Sequence, residues 1–272
     1  MLSVPGRIAS RISEGLKQFQ PIVESAKKRD VNESDTVVLM TGMLSEILGF
    51  DKYADITTEV AIRGTFCDLA LKIDGKLRIL VEAKAIGIDL KEHHIKQAVD
   101  YAANKGLEWV ILSNAVKWQI YKVVFSKPIN HILVCEMDFL NLNYKNREDI
   151  ERLFLLTKEA TSKSLLDDFF TQKQATSRFI IGNLLSSDAI ILSIKKELRQ
   201  LFPDIKVQPE EIRNVIMKEV VKREILEGDE SDSAKKSIAK MYKKKEKLLT
   251  QKTNGIESVT VEAADLNKTE VN

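Results

Sequence analysis

Apolar and polar positions along this chain change period several times, and each change marks an element. From Arg7 to Lys28, Ile8, Ile12, Leu16 and Phe19 recur at helical spacing, and Pro21 is expected to kink or divide that helix. A second helix is predicted from a cap at Asn32 through the stripe Val37, Met40, Leu44, Ile47 and Leu48 to a stop at Gly49. The period then shortens to that of strands. Thr57 to Arg63 is the first strand, and Phe66 to Lys84, FCDLALKIDGKLRILVEAK, reads as two strand-like runs folded about Asp74-Gly75. LKEHHIKQAVDYAANKG returns to helical spacing with Ile95, Ala98, Val99 and Ala102 as its stripe, ending at Gly106. EWVILSN, VKWQIYKV and NHILVCEMDF add three strands, the last at an edge.

The hairpin carries charge where an apolar strand gains nothing from it. Asp68 lies inside its first run, and Glu82 and Lys84 end the second. Residues two apart on a strand share a face, so Glu82 and Lys84 project together. Asp68 joins them if the loop is odd in length or one bulge intervenes. With a plain two-residue turn it faces the other way. Gly75 suits the left-handed position of a three-residue loop with a bulge. Together, Asp68 and Glu82 would suit a hard divalent cation completed by a backbone carbonyl and waters. Lys84 would then orient a water or offset charge on a phosphate. The plainer alternative is a solvated hairpin with a Glu-Lys pair.

The ordered set goes further than the E-x-K pattern alone. A strand with Asp, the hairpin, E-A-K, a helix carrying Gln97 and Tyr101 one turn apart, and then SNAVKWQIY resembles the PD-(D/E)xK nuclease superfamily. Within it, the likeness is to the nuclease domain at the N-terminus of type I restriction enzyme R subunits and to stand-alone predicted restriction endonucleases. It spans roughly Val31 to Val124. The resemblance implies a restriction-endonuclease-like fold, with DNA as substrate and Mg²⁺ at Asp68 and Glu82, Mn²⁺ being able to substitute. It also implies catalytic roles for Asp68, Glu82 and Lys84, with Gln97 and Tyr101 binding substrate backbone or orienting Lys84. The superfamily often adds a carboxylate from the second helix, a role that falls to Glu33. The alternative for Glu33 is a first-turn acid favouring the helix dipole. Glu46, about 150° from the centre of the apolar stripe at helical pitch, is a solvent-facing acid. Gln97 on a polar rim and Tyr101 half-packed on the sheet is the structural alternative for that pair. Cys67 stands where the superfamily often has proline.

Composition narrows the class. The 272 residues carry a net charge of only +2, so a nucleic-acid role needs a local patch rather than overall basicity. Cys67 and Cys135 lie in apolar runs with no zinc spacing, which suits buried thiols in a reducing, cytoplasmic setting. His93 and His94 are adjacent and make a poor metal pair, and His131 stands alone. No apolar run approaches membrane-spanning length, and no G-x-x-x-x-G-K-[ST] loop occurs, so neither a membrane nor a nucleotide cofactor is expected.

The expected architecture is α/β: a mixed sheet core with flanking helices over residues 1–140, then a small all-helical region over 141–227. Helices are predicted at Arg147–Leu156, Ser164–Lys173, Thr176–Leu185, Asp188–Leu201 and Pro209–Leu226. The last places Ile212, Val215, Ile216, Glu219 and Val220 near one face. Such stripes serve packing or self-association, so a homo-oligomer through this region is a possible partner state. Residues 228–272 read as a charged, disordered tail, most clearly so at Gly255–Asn272, with lysines crowded between Lys235 and Lys247. That segment is either a solvated, partly helical tail or a non-specific phosphate grip. The sequence points to a metal-dependent endonuclease. Two other classes stay open: a nuclease-fold DNA-binding or partner-recruiting module without cleavage, and a structural subunit assembling through its helical half.

Overall fold

The structure, a computed structural model, describes residues 3–62, 65–245 and 247, with only the backbone at 59–62 and 65–66. Among the described residues six strands form one sheet in sequence order. They are β1 (Ile56–Ile62), β2 (Thr65–Ile73), β3 (Lys76–Ala83), β4 (Trp109–Ser113), β5 (Lys117–Val124) and β6 (Asn130–Asp138). Every neighbouring pair is antiparallel except β3 and β4, which run parallel. A parallel pair needs a crossover, and helix α3 (Glu92–Asn104) supplies it. The sheet is therefore mixed, as expected, and the chain is of the α/β class.

Each sheet face is covered by a different set of helices. Leu69, Leu71, Ile79, Val81, Ile111 and Ile120 pack in one cluster with residues of α1 (Gly6–Lys28) and α2 (Glu33–Glu46). Ala70, Leu80, Val110 and Leu112 pack on the other side with Ile95, Ala98, Val99 and Ala102 of α3, the stripe its spacing predicts. Helix α1 passes through Pro21 without dividing, so of the two expected effects of this proline division does not occur. Pro21 is exposed, so the unpaired carbonyl one turn back can turn to water, and the apolar residues Leu16, Phe19 and Val23 hold the helix on both sides.

The chain forms two compact units, residues 1–170 and 171–272. The first extends beyond the expected boundary at 140 because the segment after β6 completes its core. Leu153, Phe154, Leu155 and Leu156 of α4 (Arg147–Phe154) and the turn after it are buried in the α1/α2 cluster. A short helix that the periodicity did not reveal, α5 (Lys158–Ser162), is clamped by polar bonds. Arg11 of α1 donates to the Ile47 carbonyl and forks onto Glu159 at 2.7 and 2.8 Å, while Lys158 reaches Asp55 at 2.6 Å. Five residues are too few for an apolar stripe to register as a period.

Helix α6 (Leu165–Ala175) leads into the second unit, which contains α7 (Arg178–Leu184), α8 (Asp188–Leu201), α9 (Pro209–Val215) and α10 (Arg223–Leu226). The single helix expected over Pro209–Leu226 is interrupted by a π-helical turn at Ile216–Val220 and by extended backbone at Val221. In an unbroken α-helix Val221 would lie about 180° from Ile212. The break brings it into one cluster with Ile191, Ile212 and Ile216, and leaves Val215 and Val220 exposed rather than on the packed face. Residues 229–245 are helical, as the partly helical reading of the lysine-rich segment expects, and the expected disorder at Gly255–Asn272 lies outside the described residues.

The hairpin is made by a turn and a bulge together. Ile73 pairs with Lys76 across Asp74 and Gly75, both at positive φ (50° and 73°). That is a two-residue turn of the mirror-image type, not a three-residue loop. One step later the register shifts, since Lys72 faces Leu77 but Leu71 faces Ile79, leaving Arg78 as the extra residue. A Cβ at position 75 would meet nothing within 4 Å, so backbone strain alone decides the outcome there. Gly75→Ala should therefore lower stability by about 1 kcal/mol, the cost of holding an L-residue in the left-handed region. Gly75→Asn should cost less, because Asn tolerates that region. Urea denaturation of the three proteins checks the order, and an alanine variant as stable as wild type would contradict it.

Candidate active site

The Arg78 bulge decides where Asp68 stands. Beyond it the register runs Leu71↔Ile79, Ala70↔Leu80 and Leu69↔Val81, and one more step sets Asp68 opposite Glu82. Without the bulge that step would set Asp68 opposite Val81. The ladder ends there because the Asp68 side chain takes over: the Ala83 N–H donates to its Oδ2 at 2.7 Å. Alternation also breaks at this residue. Leu69 packs in the α1/α2 cluster while Cys67, two positions away, packs in the α3 cluster.

Lys84 is fixed at both ends. Its N–H donates to the Ser113 carbonyl of β4 at 2.9 Å. Its Nζ donates to Glu82 Oε1 and to the Ala83 carbonyl, each at 2.7 Å, and reaches Glu33 Oε2 at 3.5 Å. Glu33 opens α2, whose N-cap Asn32 accepts from the Asp35 N–H. It is a first-turn acid whose carboxylate also faces Lys84. The lysine side chain is only 18 % exposed and Glu33 49 %. Two strands and one helix thus bring Asp68, Glu82, Lys84 and Glu33 together. Glu46 stays on the surface and accepts from Gln18 at 2.9 Å.

Three carboxylates and one ammonium leave the cluster with a formal charge of −2 when ionised. Burial pushes the Asp68 carboxyl above its ordinary range, against the pull of the Ala83 N–H and Lys84. Burial does the same to Glu82, partly offset by its hydrogen bond from Lys84. Burial alone would lower Lys84, but the Glu82 bond and the charges of Glu82, Glu33 and Asp68 outweigh it and hold the ammonium above its usual value. The site is short of positive charge. Its chemistry suits a hard divalent cation, with Asp68 and Glu82 as oxygen ligands and the Ala83 carbonyl beside them. Among the described residues no three His, Cys, Asp or Glu side chains converge to hold a metal.

The α3 residues separate. Gln97 is exposed, whereas Tyr101 is 3 % exposed in the α3 cluster, its hydroxyl facing the Cys67 backbone with no hydrogen bond among the described residues. Neither hydrogen-bonds to Lys84 among those residues. Cys67 itself is a buried free thiol, its pKa pushed up to about 12 by burial and by the Glu82 and Asp68 charges.

Two neighbours were not legible as site residues. His94 caps α3 by accepting from the Lys91 N–H, and lies near enough to Lys84 and Glu33 to feel both; burial first, then His93, Lys84 and Lys91, lower its pKa. Only the helix start, one turn beyond the E-x-K strand, could have hinted at it. Asn114 donates to the carbonyls of Ile86 and Ile88 and accepts from the N–H groups of Val116 and Lys117. It ties the exit of β3 to the β4–β5 turn. His131 is not isolated: it meets Glu92 at 2.7 Å and packs edge-on against Tyr121.

Residues 42–134 match the family described as the type I restriction enzyme R protein N terminus. That stretch, holding Asp68, Glu82, Lys84, Gln97 and Tyr101, is thus similar to a nuclease-like restriction domain; Glu33 lies outside it. No curated protein and no solved structure matches the chain. Among the described residues no helix is long and apolar enough to cross a membrane.

The electrostatics make a prediction for the metal-free protein. An acid whose folded pKa is raised binds more protons folded than unfolded, so its penalty is absent at low pH and complete above the folded pKa. Asp68→Asn keeps an acceptor for the Ala83 N–H and removes that penalty. In chelator at about pH 7 it should be at least as stable as wild type, with the difference shrinking toward about pH 4. Denaturation midpoints across this range check the sign, and a wild type that gains on the variant as pH rises would refute it.

Proposed function

We propose that this protein is a metal-dependent endonuclease that hydrolyses DNA phosphodiester bonds, in restriction or defence. The observation that carries the reading is the partly buried, net-negative constellation of Asp68, Glu82 and Lys84 on one hairpin, inside the stretch similar to the R-protein N terminus. Asp68 and Glu82 would hold Mg²⁺, or Mn²⁺ in its place, with the Ala83 carbonyl contributing. Bound there, the cation would supply Lewis-acid polarisation of a phosphoryl oxygen and a more acidic water. Asp68 is held toward that position by the Ala83 N–H, and Glu82 by Lys84. Lys84 would act on the attacking water, orienting or helping to activate it, and would offset charge growing on the phosphate. Glu33 steers the ammonium from the α2 side, and Gln97, exposed on α3, would meet the substrate backbone. Tyr101, buried beneath, would support β2 at Cys67.

A second reading has its own support: with Lys84 bonded to Glu82 and to Ala83, and no three acids placed to hold a metal among the described residues, the site would bind DNA or a partner and remain idle. Self-association through the helical region belongs to the proposal as well, and size-exclusion chromatography with light scattering reports it.

Purified protein incubated with supercoiled plasmid in Mg²⁺, Mn²⁺ or EDTA separates these readings, with nicking or linearisation expected only with the cation. Asp68→Asn and Glu82→Gln should abolish cleavage and weaken cation binding measured by calorimetry. Lys84→Ala should leave cation affinity unchanged or tighter, yet slow turnover by about 10²-fold, the scale of removing one transition-state interaction. Cleavage at the wild-type rate by Lys84→Ala, or equal Mg²⁺ affinity in wild type and Asp68→Asn, would overturn the assignment.

A further inference from the structure

The helix at residues 229–245 has two opposite faces. Ser231 and Ala234 are buried and Ile238 is half-buried, so positions i, i+3 and i+7 pack inward, and Asn183 of α7 donates to Ser231 Oγ. At 100° per residue Lys236, Lys240, Lys243 and Lys244 all fall within about 70° of the direction opposite that face. All four are exposed, and none forms a salt bridge among the described residues. Lys235, off this stripe, pairs with Asp232. No acidic residue occurs between 233 and 245.

This arrangement works against the helix. Like charges at i and i+4 or i and i+3 repel, each pair costing about 0.2–0.5 kcal/mol, and an interleaved Glu would have relieved it. The helix dipole compensates only within the last turn. A ligand with regularly spaced negative charge would relieve all of it at once. A lipid surface suits the stripe poorly, because a membrane-lying helix offers an apolar face to the bilayer, and here that face is packed inward.

We propose that the lysine stripe of residues 236–244 is a sequence-independent grip for the phosphate backbone of duplex DNA. The choice of DNA as the polyanion rests on the endonuclease reading above. The stripe itself is an electrostatic surface, and it gives a chain of net charge +2 the local patch that DNA binding requires.

The test uses the full chain and a labelled random-sequence duplex in EDTA, so that it reads binding whether or not the hairpin site cleaves. The fourfold variant Lys236→Gln, Lys240→Gln, Lys243→Gln, Lys244→Gln should weaken binding. It should also flatten the plot of log K against log salt by up to about 3.6, at roughly 0.9 for each phosphate no longer neutralised. The fourfold Lys→Arg variant should retain both affinity and slope. Circular dichroism should show helix content kept or increased in the Gln variant as the repulsion is removed. Unchanged affinity and slope in the Gln variant would overturn the proposal. So would wild-type binding to phosphatidylserine vesicles, abolished in the Gln variant, with no binding to the duplex.

Discussion

Everything at the candidate site depends on the one extra residue in β3. Strand faces alternate with period 2, so a single insertion at Arg78 exchanges which side of the hairpin meets which. The turn at Asp74-Gly75 alone would pair Asp68 with an apolar position. With the bulge, its carboxylate comes opposite Glu82 and its Oδ2 captures the Ala83 N–H. The same capture ends the β2–β3 ladder.

The remaining elements hold that geometry from outside. The parallel pairing of β3 with β4 fixes the Lys84 backbone on Ser113, and Asn114 secures the chain leaving β3. Helix α2 brings Glu33 to the ammonium from one face, and α3 brings His94 from the other. The surplus negative charge is tolerable because Lys84 sits among the carboxylates, and their raised pKa values record how far burial exceeds that compensation. A buried pair of carboxylates with raised pKa values costs stability near neutral pH.

The sequence by itself determined the strands, the apolar stripes of α2 and α3, and the pairing of Glu82 with Lys84, because each depends on local periodicity. It also left Asp68 between two faces, correctly, since the parity of a hairpin lies in a register that no single strand encodes. What only tertiary structure decided follows from contacts between distant segments. Pro21 stays within a helix because its flanks are packed, α5 belongs to the first unit because Arg11 and Asp55 clamp it, and Val221 breaks α9 from α10 to reach Ile191. Gln97 and Tyr101, one turn apart and alike on a helical wheel, part company because the sheet buries one and leaves the other in water. Local pattern sets which residues can share a face; packing decides what that face meets.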